Sequence, residues 1–126
     1  MTSPNTDAGV RRSVSDRPGH IVIALQGDMD TATAPALRER LLHALRPGMK
    51  LLILDLSAVP FCDTAGLAVL IGTRRRANLL GIALHLAAPS PQVAKAMHVT
   101  GLDRGLAVHS SVADAEDAYQ AYADAV

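Results

Sequence analysis

The chain has 126 residues, with 12 Lys plus Arg balancing 12 Asp plus Glu, 49% hydrophobic residues and only 2% aromatic ones. That length suits one domain with a core of its own, and the core must be aliphatic. Zero net charge and the lack of aromatic platforms argue against direct nucleic-acid binding, which depends on phosphate neutralisation and base stacking.

Residues 1–9 are small and polar and are expected to form a disordered tail, with the domain occupying 10–126. A weak strand is expected over Arg11–Ser15, and His20–Leu25 is β-rich and reads as a buried strand. Gly27-Asp28-Met29-Asp30 follows as a polar turn. Pro35 suits a first helical position, and Leu37, Leu41, Ala44 and Leu45 repeat on one helical face before Pro47-Gly48 ends the helix.

The segment Leu51–Leu67, LLILDLSAVPFCDTAGL, is the most informative. Lys50–Leu56 has strand length and no helical period. Asp63 is a good N-cap for a helix over Thr64–Leu80, whose Leu67, Leu70 and Ile71 face the sheet. Arg74, Arg75 and Arg76 fall in its far half, where cations are favoured, and read by default as a solvated helix end. Gly81 stops it. Ile82–Ala87 is another apolar strand, Ser90 and Pro91 form a cap-and-start pair, and Gly101-Leu102 reads as a helix stop. A short strand at Leu106–Val108 precedes a last helix, Val112–Ala123. Strands alternating with helices predict an α/β fold, a mixed sheet with about four helices mainly on one face.

Thr64, in the first turn of a helix, is a hydroxyl beside amides that lack intrahelical partners, an environment that tolerates a phosphate. The plainer reading is that Asp63 caps the helix and Thr64 only tolerates its place. Asp28 and Asp30 end another strand and can converge on the same sheet edge, where ligands of open α/β sheets gather; taken alone they read as turn and cap chemistry. Asp55 is expected to bond turn backbone, since a carboxylate within an apolar strand needs partners. Cys62, the single cysteine, excludes an internal disulfide and fits a reducing compartment; it reads as a structural thiol rather than a redox one. His20, His43, His85, His98 and His109 are scattered without metal-ligand spacing. No phosphate loop, nucleophile elbow or HExxH is present, so an enzyme is disfavoured and no metal or cofactor is expected. Neither a signal peptide nor a spanning apolar stretch is visible, which predicts a cytoplasmic protein without membrane insertion.

The ordered set Gly27-Asp28-Met29-Asp30, Leu54-Asp55-Leu56-Ser57, Phe61-Cys62-Asp63-Thr64-Ala65-Gly66-Leu67, Gly81, Pro89-Ser90-Pro91 and Thr100-Gly101-Leu102 resembles the STAS domain family, in particular bacterial anti-sigma factor antagonists, over about Val14–Tyr122. The resemblance implies that Thr64 is phosphorylated by an anti-sigma factor serine/threonine kinase. The unphosphorylated chain would bind that kinase and free a sigma factor, phosphorylation would release it, and a metal-dependent serine/threonine phosphatase would reset it. The partner surface would comprise Asp28, Asp30, Asp63, Thr64, Ala65 and Gly66. Similar antagonists usually carry serine at the Thr64 position and often Ser or Thr at that of Ala65; Ala65 removes any second acceptor from this motif. The same Asp-Thr-x-Gly-Leu run also resembles the STAS subunit of bacterial phospholipid ABC transport systems, and a stress-complex scaffold is a further alternative. The oligomeric state is left open.

Overall fold

The computed structural model describes residues 6–7, 10–14 and 17–125. Six strands form one sheet in the order β1 (Thr6–Asp7), β2 (Val10–Val14), β3 (His20–Gln26), β4 (Leu51–Ala58), β5 (Ala83–Ala87) and β6 (Ala107–His109). The β1–β2 and β2–β3 pairs are antiparallel and the later pairs are parallel. Thr6–Asp7 thus pairs with β2 inside the expected tail, most of which lies outside the described residues, as does Ser15 of the expected first strand.

Among the described residues, four α-helices follow the sequence pattern: α1 (Ala34–Ala44), α2 (Thr64–Leu79), α3 (Pro91–Val99) and α4 (Val112–Ala125), with a 3-10 turn at Leu102–Arg104 after α3. Because the parallel strands are laid down in sequence order, crossovers of one hand place α1, α2 and α3 on the same face. The last helix, α4, joins no further strand and is free to cover the opposite face.

The pleat of β4 divides the two cores. Leu52, Leu54 and Leu56 point into the larger core with Leu41, Leu67, Leu70, Val93 and Met97. Leu51 and Ile53 point the other way, against Ala87 and Ala115 of α4. The expectation of helices mainly on one face therefore holds, three against one.

Element ends differ from the sequence pattern by a few residues. The strand β4 runs to Ala58, beyond Leu56, because a register shift between Ala24 and Gln26 lets Gln26 pair with Ala58. Residue Ser90 caps α3 by accepting from the Val93 amide at 3.2 Å, with Pro91 in its first turn. The turn after α3 takes φ +77 at Gly101, a left-handed conformation that a side chain would disfavour.

Candidate functional site

The site forms where β3 and β4 end. The Met29 amide donates to the Phe61 carbonyl at 2.9 Å, and the Asp63 amide donates to the Met29 carbonyl at 3.0 Å. This isolated parallel bridge between Met29 and Cys62 ties the Asp28–Asp30 loop to the turn that starts α2. The convergence expected of Asp28 and Asp30 with Asp63 is thus made through backbone.

Asp63 has extended backbone, and its Oδ1 accepts from the amides of Ala65 at 2.8 Å and Gly66 at 3.2 Å. It satisfies two of the donors that a helix start leaves without partners. Next to it Thr64 is exposed, Ala65 is half-buried and Gly66 is buried. Gly66 has a steric reason to be glycine: a Cβ there would lie 2.4 Å from the Met29 carbonyl oxygen and 2.8 Å from Cys62 Sγ. Met29, a buried core residue that the sequence reading leaves without a role, is therefore the linchpin between the two loops. The signal that could have found it is Gly66, since a glycine in the first turn of a helix is consistent with close approach of another backbone.

On the other loop, Asp30 and Thr33 cap each other. The Asp30 amide donates to Thr33 Oγ1 at 2.9 Å, and the Thr33 amide donates to Asp30 Oδ1 at 3.0 Å. The Thr33 hydroxyl also donates to the Asp28 carbonyl at 2.9 Å. Asp30 thus does the cap chemistry its plainer reading proposed, and its neighbour Met29 makes the bond to Asp63. Asp55 accepts from the Ser57 amide at 3.0 Å, the backbone role expected of it.

Cys62 is buried, and burial followed by the neighbouring Asp63 carboxylate pushes its thiol up to about 11. A thiol so rarely ionised is a poor nucleophile at neutral pH. Beside Thr64 a shallow, mainly apolar groove of about 250 Å³ runs between α2 and the end of α3, lined by Leu67, Ala68, Ile71, Thr100 and Leu102. Phe61 (42% exposed) and Val99 (73%) are exposed apolar residues on the flanking segments. Among the described residues, no three His, Cys, Asp or Glu are placed to hold a metal ion, and no helix is long and apolar enough to cross a membrane.

Three of the five histidines meet on the face under α4. His20 Nδ1 lies 2.9 Å from Glu116 Oε2, and Tyr119 packs edge-on to His20. His85 and His109 stack with ring centroids 4.9 Å apart and share a hydrogen bond of 3.0 Å. Burial, and then His109, lowers the pKa of His85. Sequence spacing could not show this grouping, because it arises from strand register.

The STAS domain family matches residues 11–115. The chain is 28% identical over 115 residues to the anti-sigma-F factor antagonist RsfB of Mycobacterium tuberculosis, covering 91% of each chain. It is 31% identical over 98 residues to the anti-sigma-B factor antagonist of Bacillus subtilis, covering 78% of this chain and 85% of that one. The crystal structure of an anti-sigma factor antagonist from Mycobacterium paratuberculosis superposes with a TM-score of 0.75 at 28% identity, over 94% of this chain and 97% of that one. Together with the sheet order and the capped α2, these matches place the chain in the STAS domain family.

Proposed function

We propose that this chain is an anti-sigma factor antagonist whose partner surface is the loop pair around Met29 and Asp63. The observation that carries the reading is the exposed Thr64 hydroxyl, set directly after the Asp63 cap in a chain whose relatives, at 28–31% identity, bear that name. The partner is an anti-sigma factor serine/threonine kinase, bound by the unphosphorylated chain through Asp28, Asp30, Asp63, Thr64, Ala65 and Gly66. Phosphorylation of Thr64 ends binding, and a serine/threonine phosphatase restores it. The protein acts in the cytoplasm and performs no catalysis itself.

The switch is electrostatic. A phosphate adds about −1.5 to −2 charges at neutral pH. The nearest helix amides, those of Ala65 and Gly66, are already taken by the Asp63 carboxylate. The new charge is therefore only partly compensated and stands next to Asp63, whose amide is bonded to the Asp28–Asp30 loop through Met29. Any partner fitted to a neutral hydroxyl at that point meets a cluster of like charges, while the core beneath is untouched.

The test is incubation with the anti-sigma factor kinase and ATP, with the phosphate mapped by mass spectrometry. One phosphate on Thr64, none in Thr64→Ala, and binding weakened at least tenfold in Thr64→Glu support the reading. Phosphate on another residue, or unchanged affinity of Thr64→Glu, overturns the switch.

A further inference from the structure

The chain is neutral as a whole, yet its two helix layers carry opposite charge. Arg38, Arg40, Arg74, Arg75 and Arg76 stand on α1 and α2 against one acid, Glu39. Asp114, Asp117 and Asp124 stand exposed on α4, which holds no basic residue; its Glu116 is turned in against His20, and Arg17 bonds its Gln120. The two layers lie on opposite faces of the sheet.

Each layer also exposes a large apolar side chain. Leu79, at the end of α2 next to Arg75 and Arg76, is 79% exposed, and Tyr122 on α4 is 68% exposed. Arginine and tyrosine are the residue types that most often dominate protein contacts, and a guanidinium over a tyrosine ring adds a cation–π attraction.

We propose that the α1–α2 face of one copy docks on the α4 face of a second copy. The occupant is a second copy because this chain carries both halves of the contact: opposite charges, and an exposed apolar residue on each side. Zero net charge leaves little long-range repulsion between copies. The two surfaces differ, so the contact is head-to-tail and extends with concentration rather than closing at a two-fold dimer. It is also salt-sensitive, since Arg75, Arg76, Asp117 and Asp124 are solvent-exposed. Leu79 lies at the far end of the 16-residue α2 from Thr64, about 22 Å away at about 1.5 Å per residue. The contact therefore does not depend on the phosphorylation reading and leaves that site open.

Sedimentation velocity of the full chain tests this, with Arg75→Glu/Arg76→Glu and Asp117→Lys/Asp124→Lys as reversal variants. Arg75, Arg76, Asp117 and Asp124 are exposed helix residues, so circular dichroism should be unchanged. The wild type is expected to gain mass with concentration at about 50 mM salt and to stay monomeric at about 500 mM. Each variant alone should be monomeric, because neither keeps two faces of opposite charge: Arg75→Glu/Arg76→Glu leaves Arg38, Arg40 and Arg74 balanced by Glu39 and two new acids, and Asp117→Lys/Asp124→Lys removes the net acidity of α4. An equimolar mixture should form a 1:1 heterodimer and stop there, since the acidic α4 of the first variant still matches the basic face of the second. A wild type that stays monomeric at millimolar concentration and low salt overturns the proposal. So does association that survives both reversals, or a mixture that stays monomeric.

Discussion

The Met29 carbonyl accepts the Asp63 amide at 3.0 Å, and with the Met29 amide bonded to the Phe61 carbonyl it makes the loop after β3 and the start of α2 a single unit. It also dictates what can follow in α2, because Met29 occupies the space where a side chain at position 66 would go.

Gly66→Ala should therefore destabilise the protein. The obstructing atom is backbone, at 2.4 Å from the added Cβ, and cannot swing aside. The expected loss is about 1–3 kcal/mol, typical of overpacking, read from urea unfolding. Partner binding should fall as well, since relief of the clash moves the Asp28–Asp30 loop away from Asp63. Gly72→Ala in the same helix is the control: nothing lies within 4 Å of its added Cβ. It should stabilise by about 0.5–1 kcal/mol, as an alanine replaces a mid-helix glycine.

Asp63→Ala should cost about 0.5–2 kcal/mol through the loss of its cap bonds to Ala65 and Gly66. Asp63→Asn keeps a capping oxygen and should cost less in thermal unfolding. If the carboxylate charge matters to the partner, Asp63→Asn will still change affinity; equal affinity with intact stability would limit Asp63 to a cap.

The capped α2, the strand–helix order and the exposed Thr64 were legible in the sequence because each depends on neighbouring residues: Asp63 before Thr64, Ser90 before Pro91, apolar runs of strand length. The Met29–Asp63 tie and the meeting of His20, His85 and His109 were not. The tie joins the loops that follow two different strands, and His20 and Glu116 are 96 positions apart. Such contacts follow from register and from the face on which α4 packs, and no local pattern encodes either. The opposite charge of the helix layers was hidden for a related reason, since a net charge of zero sums over faces that only the fold separates.

The His85 environment makes stability fall in acid. Its pKa is lowered in the folded state from the ordinary 6.5, by burial first and His109 second. The unfolded chain then binds a proton more readily, so folding is favoured above about pH 6.5 and weakens as pH falls below it. The measurement is the free energy of unfolding in urea from pH 8 to pH 5. His85→Gln should flatten the part of that slope near pH 6; a slope identical to the wild type would mean that another group carries it.

Cys62 should be silent toward thiol reagents while the fold is intact. With its thiol pushed up to about 11 and its side chain buried, the thiolate fraction near neutral pH is very small. Modification by a disulfide reagent at pH 7.5 should be slow in buffer and should accelerate by orders of magnitude in denaturing urea, where burial and the fixed Asp63 carboxylate are both lost. Gly66→Ala supplies the intermediate case. If relief of its clash loosens the loop around Met29 and Cys62, the thiol will react faster than in the wild type without global unfolding. Fast labelling of the native wild type would instead show that this loop pair opens on its own, and would reopen a redox role for Cys62.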